Sequence, residues 1–155
     1  MVSQKSVNKN VEDKINEFTM KCRNAGLKVT PQRLEVFRAL VQTDEHPTAE
    51  AVCSQVRQAM PHISLDTVNR TLLTLSEIGA AFIVEGTGQA RRFDANFDTH
   101  QHFRCVKCRR IVDFYHEPFN QVQVPSEINN KYQIIRKTVY FEGYCDKCKA
   151  LNAKH

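Results

Sequence analysis

Over the first eighty positions the apolar residues recur three and four apart, the period of helices that pack by one face. In VEDKINEFTMKCRNAG, Val11, Ile15, Phe18 and Cys22 share a stripe, and Gly26 follows as a C-terminal stop. TPQRLEVFRALVQ opens on Thr30 as N-cap with Pro31 at the first helical position, and turns Leu34, Phe37 and Val41 to one side. A third segment, from Thr48 in HPTAEAVCSQVRQAM, directs Ala51, Val52, Val56 and Met60 inward and ends at Pro61. A fourth starts at the cap Ser64, carries Leu65, Val68, Leu72 and Leu75, and ends at Gly79. AAFIVEGTGQARRFD then reads as a short apolar strand, a Gly-containing turn and a basic strand. Helices followed by such a hairpin predict a winged helix.

From about residue 95 the pattern changes to strands, HFRCV, RIVDF and the long QIIRKTVYFEGYC, with one short helix beginning near Ser126. The expected fold class is α+β. A winged-helix DNA-binding domain would span residues 1–94, and a small α/β domain residues 95–155. Two domains in 155 residues leave each with a small core that a bound metal would help to hold. The polar start MVSQKSVNKN and the lack of eighteen consecutive apolar residues predict neither signal peptide nor membrane span. Six cysteines in such a chain point to reduced thiols in the cytoplasm, and so to metal or redox chemistry rather than a disulfide framework.

The net charge of +5 invites a nucleic-acid reading, but its distribution qualifies it. Residues 1–90 hold ten Lys/Arg against ten Asp/Glu, and residues 91–155 hold twelve against seven. A DNA surface in the first domain must therefore come from the placement of bases such as Lys28, Arg33 and Arg70. With Leu65, Val68, Leu72 and Leu75 facing the core, the fourth helix turns Asp66, Thr67, Arg70 and Thr74 outward, with Asn69 on the flank. Arg and Asn suit guanine and adenine edges in the major groove. Any core helix also has a solvated face; the place of this one, after three helices and before a basic hairpin, favours the DNA reading. Lys28, Arg91 and Arg92 would then serve phosphates or a minor groove.

Cys105-Val-Lys-Cys108 and Cys145-Asp-Lys-Cys148 are two CxxC knuckles, together offering the four thiolates of a closed structural zinc site. The rival is thiol-disulfide catalysis, whose motif usually comes singly beside a βαβ unit. Cys22 and Cys53 fall on apolar stripes and read as small buried hydrophobes. His100 and His102, two apart on a strand, point to one face and Cys105 to the other, so a second metal site is implied. Candidate partners are Asp94, Asp113 and His46, a mixed N/O set that suits Fe(II) or Mn(II) with an open position. Each also has a plainer reading: His46 as a helix-entry residue, Asp94 as a turn residue, Asp113 as a strand-edge charge. Spacing does not choose between them.

Taken in order, GLKVTPQR, HPTAE, ISLDTVNRTL, RFD, HQHFRCVKC, IVDF and GYCDKC resemble the ferric uptake regulator (Fur) family, and most closely its peroxide-sensing branch. The resemblance covers about residues 20–150. It implies a dimeric winged-helix repressor with a metal-clamped dimerisation domain, not an enzyme. By matching motif, His46, Asp94, His100, His102 and Asp113 would hold one regulatory Fe(II) or Mn(II) per chain. Cys105, Cys108, Cys145 and Cys148 would hold one structural zinc. Asp113 is informative, because the iron-responsive branch typically carries Glu there. Peroxide would be the signal, with no other small-molecule substrate, and His46 and His100 are the ligands that would be oxidised. The partners implied are a second copy of the chain and a palindromic double-stranded DNA operator. A repressor sensing iron, manganese or zinc availability would use the same parts. Two positions depart from the family: Asn69 stands where Tyr is usual, and Lys137 where a His is often found.

Overall fold

The computed structural model describes residues 10–84 and 90–152, which fall into two compact units, the first running to Phe97 and the second from Asp98. Helices α1 (Val11–Asn24), α2 (Pro31–Val41), α3 (Ala49–Val56) and α4 (Leu65–Glu77) build the first. All four start on a side chain that accepts a backbone N–H of the first turn. Asn10 accepts from Asp13, Thr30 from Arg33, Thr48 from Ala51 and Ser64 from Thr67. Each such cap is worth about 1 kcal/mol over alanine. Gly26 (φ 69°) and Gly79 (φ 71°) take the left-handed conformation just past α1 and α4, which a side chain would resist.

Phe18, Phe37, Leu40, Val52, Val56, Val68, Leu72, Leu75 and Phe93 form one buried core, in which Phe18 stacks on Phe37 with ring centroids 4.4 Å apart. Three expectations need correcting. The third helix ends at Val56 rather than at Pro61, because Gln58 and Ala59 donate to carbonyls only three residues back and tighten the chain into a turn. Ala51 is exposed, since Cys53 takes the inward position beside Val52 and Val56. Leu65 and Val11, the first residues of their helices, lie at the edge of the core and are exposed.

Strands β1 (Phe82–Val84) and β2 (Arg92–Asp94) pair antiparallel, with Phe82 opposite Asp94 and Val84 opposite Arg92. The turn expected between them, EGTGQ, lies outside the described residues. Ala95 and Phe97 still pack into the first core.

In the second unit β3 (Gln101–Cys105) is the centre of a three-stranded sheet in the order β4-β3-β5. Strand β4 (Ile111–Phe114) pairs with it antiparallel and β5 (Tyr140–Gly143) parallel. The crossover carries α5 (Glu117–Asn120) and α6 (Ser126–Lys131), and α7 (Asp146–Asn152) follows β5. The long final strand expected from Gln133 is strand only from Tyr140, because β3 is five residues long and offers no ladder for the residues before. The buried cluster is Cys105, Cys145 and Cys148 with Phe103 packed on it, while Ile135 is 93% and Leu151 57% exposed. A unit this small with so little apolar core needs another source of stability. Among the described residues no helix is long and apolar enough to cross a membrane.

Candidate metal centres

Strand β3 delivers Cys105 at its end, a turn brings Cys108 back, and the residues after β5 bring Cys145 and Cys148. Left-handed Arg109 (φ 62°) closes the turn, its N–H donating to the Cys105 carbonyl at 2.9 Å. Gly143 lies opposite Cys105, where an added Cβ would meet the Phe103 ring at 3.3 Å. The four sulfur atoms lie within 4.8 Å of one another, and those of Cys108 and Cys145 are 3.7 Å apart. Tetrahedral zinc with Zn–S bonds of about 2.3 Å needs sulfurs about 3.8 Å apart, so the donor set fits that ion.

The electrostatics agree. The Cys145 N–H, 3.4 Å from the Cys105 sulfur, is the main cause of a Cys105 pKa lowered to about 6. Burial first, and then hydrogen bonding with the other three thiols, pushes Cys148 up to about 12. One thiolate is favoured and its neighbour is suppressed, which is the condition a divalent cation relieves. Across the cluster Arg110 Nη2 reaches Asp146 Oδ1 at 2.6 Å, tying one knuckle to the other. Cys22, by contrast, is held up by burial among apolar side chains, as its stripe position implies.

A second donor set sits at the other end of β3. His102 lies directly opposite Asp113 in the β3–β4 ladder, and its Nε2 is 3.3 Å from Asp113 Oδ1. His100 Nε2 is 3.0 Å from His102 Nε2 and 3.7 Å from Asp113 Oδ2. The His100 Nδ1–H donates to the Asp98 carbonyl at 2.7 Å, which leaves the Nε2 lone pair directed at the group. Two imidazole nitrogens and a carboxylate thus converge at distances that a proton or a cation must bridge. Gln101, which sequence reasoning passed over, anchors this segment: its amide donates to Asn120 Oδ1 at 2.7 Å and accepts the His116 N–H at 2.8 Å. Its alternation with the two histidines, facing away from them, was the available signal.

In the first unit His46 and Asp94 are both buried, with His46 Nε2 3.9 Å from Asp94 Oδ2. His46 has a left-handed backbone (φ 52°), a conformation that costs about 1–3 kcal/mol in a residue with a side chain and so has to be enforced by its surroundings.

Of the residues expected to meet DNA, Lys28, Arg70 and Arg91 are exposed, while Arg33, Thr67, Asn69 and Arg92 are half-buried. Arg33 Nη1 donates to the Lys28 carbonyl at 2.7 Å, and Arg92 Nη1 donates to the Glu45 and His46 carbonyls. Arg70 pairs with Asp66 one turn back at 2.9 Å, an exposed pair worth only about 0.3–0.5 kcal/mol. Lys137 donates to the Asn120 and Val122 carbonyls.

The model of the ferric uptake regulator family matches residues 24–142. The peroxide-responsive repressor PerR of Staphylococcus epidermidis is 28% identical over 139 residues, covering 90% of this chain and 93% of that protein. The peroxide stress regulator of Campylobacter jejuni superposes with a TM-score of 0.66 at 29% identity, over 83% of this chain and 97% of the other. The Helicobacter pylori ferric uptake regulator Fur, described as having three functional metal-binding sites, shares the fold with a TM-score of 0.71 at 22% identity, over 94% and 97% of the two chains.

Proposed function

The chain belongs to the ferric uptake regulator family of metal-responsive, DNA-binding transcriptional regulators, and we propose that it is a dimeric repressor that senses peroxide. Cys105, Cys108, Cys145 and Cys148 hold a structural zinc in this reading. His46 and Asp94 of the first unit join His100, His102 and Asp113 of the second around one Fe(II) or Mn(II). The observation that carries it is the His100, His102 and Asp113 set, nitrogen and oxygen donors that converge with the His100 ring held by its Nδ1–H bond to the Asp98 carbonyl. That set suits a borderline cation with an open position rather than a second closed zinc. The peroxide-related proteins among its relatives support the signal.

A metal shared between the units favours one relative orientation of them, and with it the spacing of two α4 helices on a palindromic operator. Fe(II) held by these residues would supply the chemistry that cleaves the O–O bond of hydrogen peroxide, while the two electrons of the net reaction come from the imidazole that is oxidised. In the net reaction one peroxide leaves one oxygen on a ligand imidazole, at His46 or His100, and the other oxygen departs as water. The modified ring no longer offers the same donor, and the preference for the DNA-competent orientation is lost.

On DNA, Arg70→Ala should cost about 1–3 kcal/mol of specific binding, the worth of a bidentate base contact, which exceeds the weak Asp66 pair it must leave. Equal losses on operator and random DNA would make Arg70 a phosphate contact. The function itself is tested by operator binding of the Fe(II) and Mn(II) forms before and after peroxide. Release of the iron form alone is expected; indifference of both forms to peroxide would leave a sensor of metal availability.

A further inference from the structure

The wing cation Arg92 is turned back into its own unit. Its Nη1 donates to the carbonyls of Glu45 and His46, each at 3.2 Å. The backbone does the same: Phe93 N–H donates to the Pro47 carbonyl at 3.0 Å, and Thr48 forms an isolated antiparallel bridge with Arg92. Residues 45–48 are thus laid against β2, on the edge opposite its pairing with β1. His46 sits within that segment with its left-handed backbone and its buried ring.

We propose that Arg92 is a positioning residue for the His46 and Asp94 half of the regulatory site, and not a phosphate contact. The proposal rests on the ligand assignment made above. Two features of the fold carry it. Arg92 and Asp94 are two apart on one strand and so face the same side, which makes β2 the source of both an anchor for the His46 loop and a carboxylate ligand. Moreover, the guanidinium grips the carbonyl of His46 itself, so it holds the ψ that orients the peptide before Pro47, and with φ in the left-handed region this sets the Cα–Cβ direction from which the imidazole departs. A hydrogen-bonded partner behind a ligand commonly changes metal affinity 10–100-fold when removed.

The experiment is a Mn(II) titration of the full chain followed by electron paramagnetic resonance, for the wild type, Arg92→Ala, Arg92→Lys and His46→Ala, alongside the salt dependence of binding to random DNA. Arg92→Ala should weaken Mn(II) binding about 10-fold or more and leave the salt slope unchanged. Arg92→Lys, which keeps the charge on a shorter stem, should weaken Mn(II) binding less and also leave the slope unchanged; it decides the matter if the alanine variant does not fold. A wild-type Mn(II) affinity in both Arg92 variants, with a salt slope lower by about one unit in Arg92→Ala that lysine restores, would overturn the proposal in favour of a phosphate contact. Loss of Mn(II) binding in His46→Ala together with wild-type affinity in the Arg92 variants overturns the role of Arg92 alone. Wild-type affinity in His46→Ala overturns the ligand assignment, and this proposal with it.

Discussion

Cys145→Ser should leave the protein without structural zinc and without a stable second unit, and so without a dimer. The buried cluster of that unit is made of Cys105, Cys145 and Cys148, so its stability depends on whatever holds the thiolates together. Zinc binding and folding are linked by about 10 kcal/mol or more in small zinc domains, far beyond what the exposed Ile135, Phe141 and Leu151 return inside one chain. Cys145 is also the residue whose N–H stabilises the Cys105 thiolate, though that bond is from the backbone and survives the substitution. The loss therefore reports the ligand and not the turn. Zinc stoichiometry and sedimentation velocity measure it together; a zinc-free dimer that unfolds at the wild-type temperature would contradict the zinc assignment.

His102→Ala should abolish metal-dependent operator binding while the zinc and the dimer persist. His102 is 6% exposed and stands between His100 Nε2 and Asp113, so truncation removes a donor from the middle of the set and leaves the Asp113 carboxylate without its cross-strand partner. Couplings between an effector and a second ligand are typically 1–3 kcal/mol, which sets the expected loss of Mn(II)-stimulated operator affinity at about 5–150-fold. Binding to random DNA should not change, since Lys28, Arg70 and Arg91 are untouched. Retention of Mn(II)-stimulated binding would show that His102 is a packing residue.

Why some of this was legible in the sequence and some was not follows from the range of the interactions. The four helix starts at Asn10, Thr30, Thr48 and Ser64 are local, each a side chain bonded to a backbone N–H three residues on; the three starts at Thr30, Thr48 and Ser64 are visible in a short window. The cysteine pairs are likewise local in each half, and their convergence needs only that β5 lie beside β3. The end of the third helix is masked in the sequence because Met60 and Pro61 offer a plausible stop, whereas the three-residue hydrogen bonds that tighten the chain after Val56 leave no mark in the pattern of apolar positions. The last strand is shorter than its alternation suggests because apolar alternation says nothing about whether a neighbour is available. Arg92 looked like one more basic residue of a wing. Its contacts with Glu45 and His46 cross 47 and 46 positions of sequence, and no local pattern records them.

The most direct test of peroxide sensing at a histidine ligand is peptide mass spectrometry of the Fe(II)-loaded, zinc-replete protein after brief treatment with hydrogen peroxide, with the Mn(II) form as control. A peptide containing His46 or His100 should gain one oxygen atom in the iron form only, in step with the loss of operator binding, while Cys105, Cys108, Cys145 and Cys148 remain reduced and zinc-bound. Unmodified His46 and His100 with disulfides at the cysteine pairs would contradict it and make thiol oxidation the response.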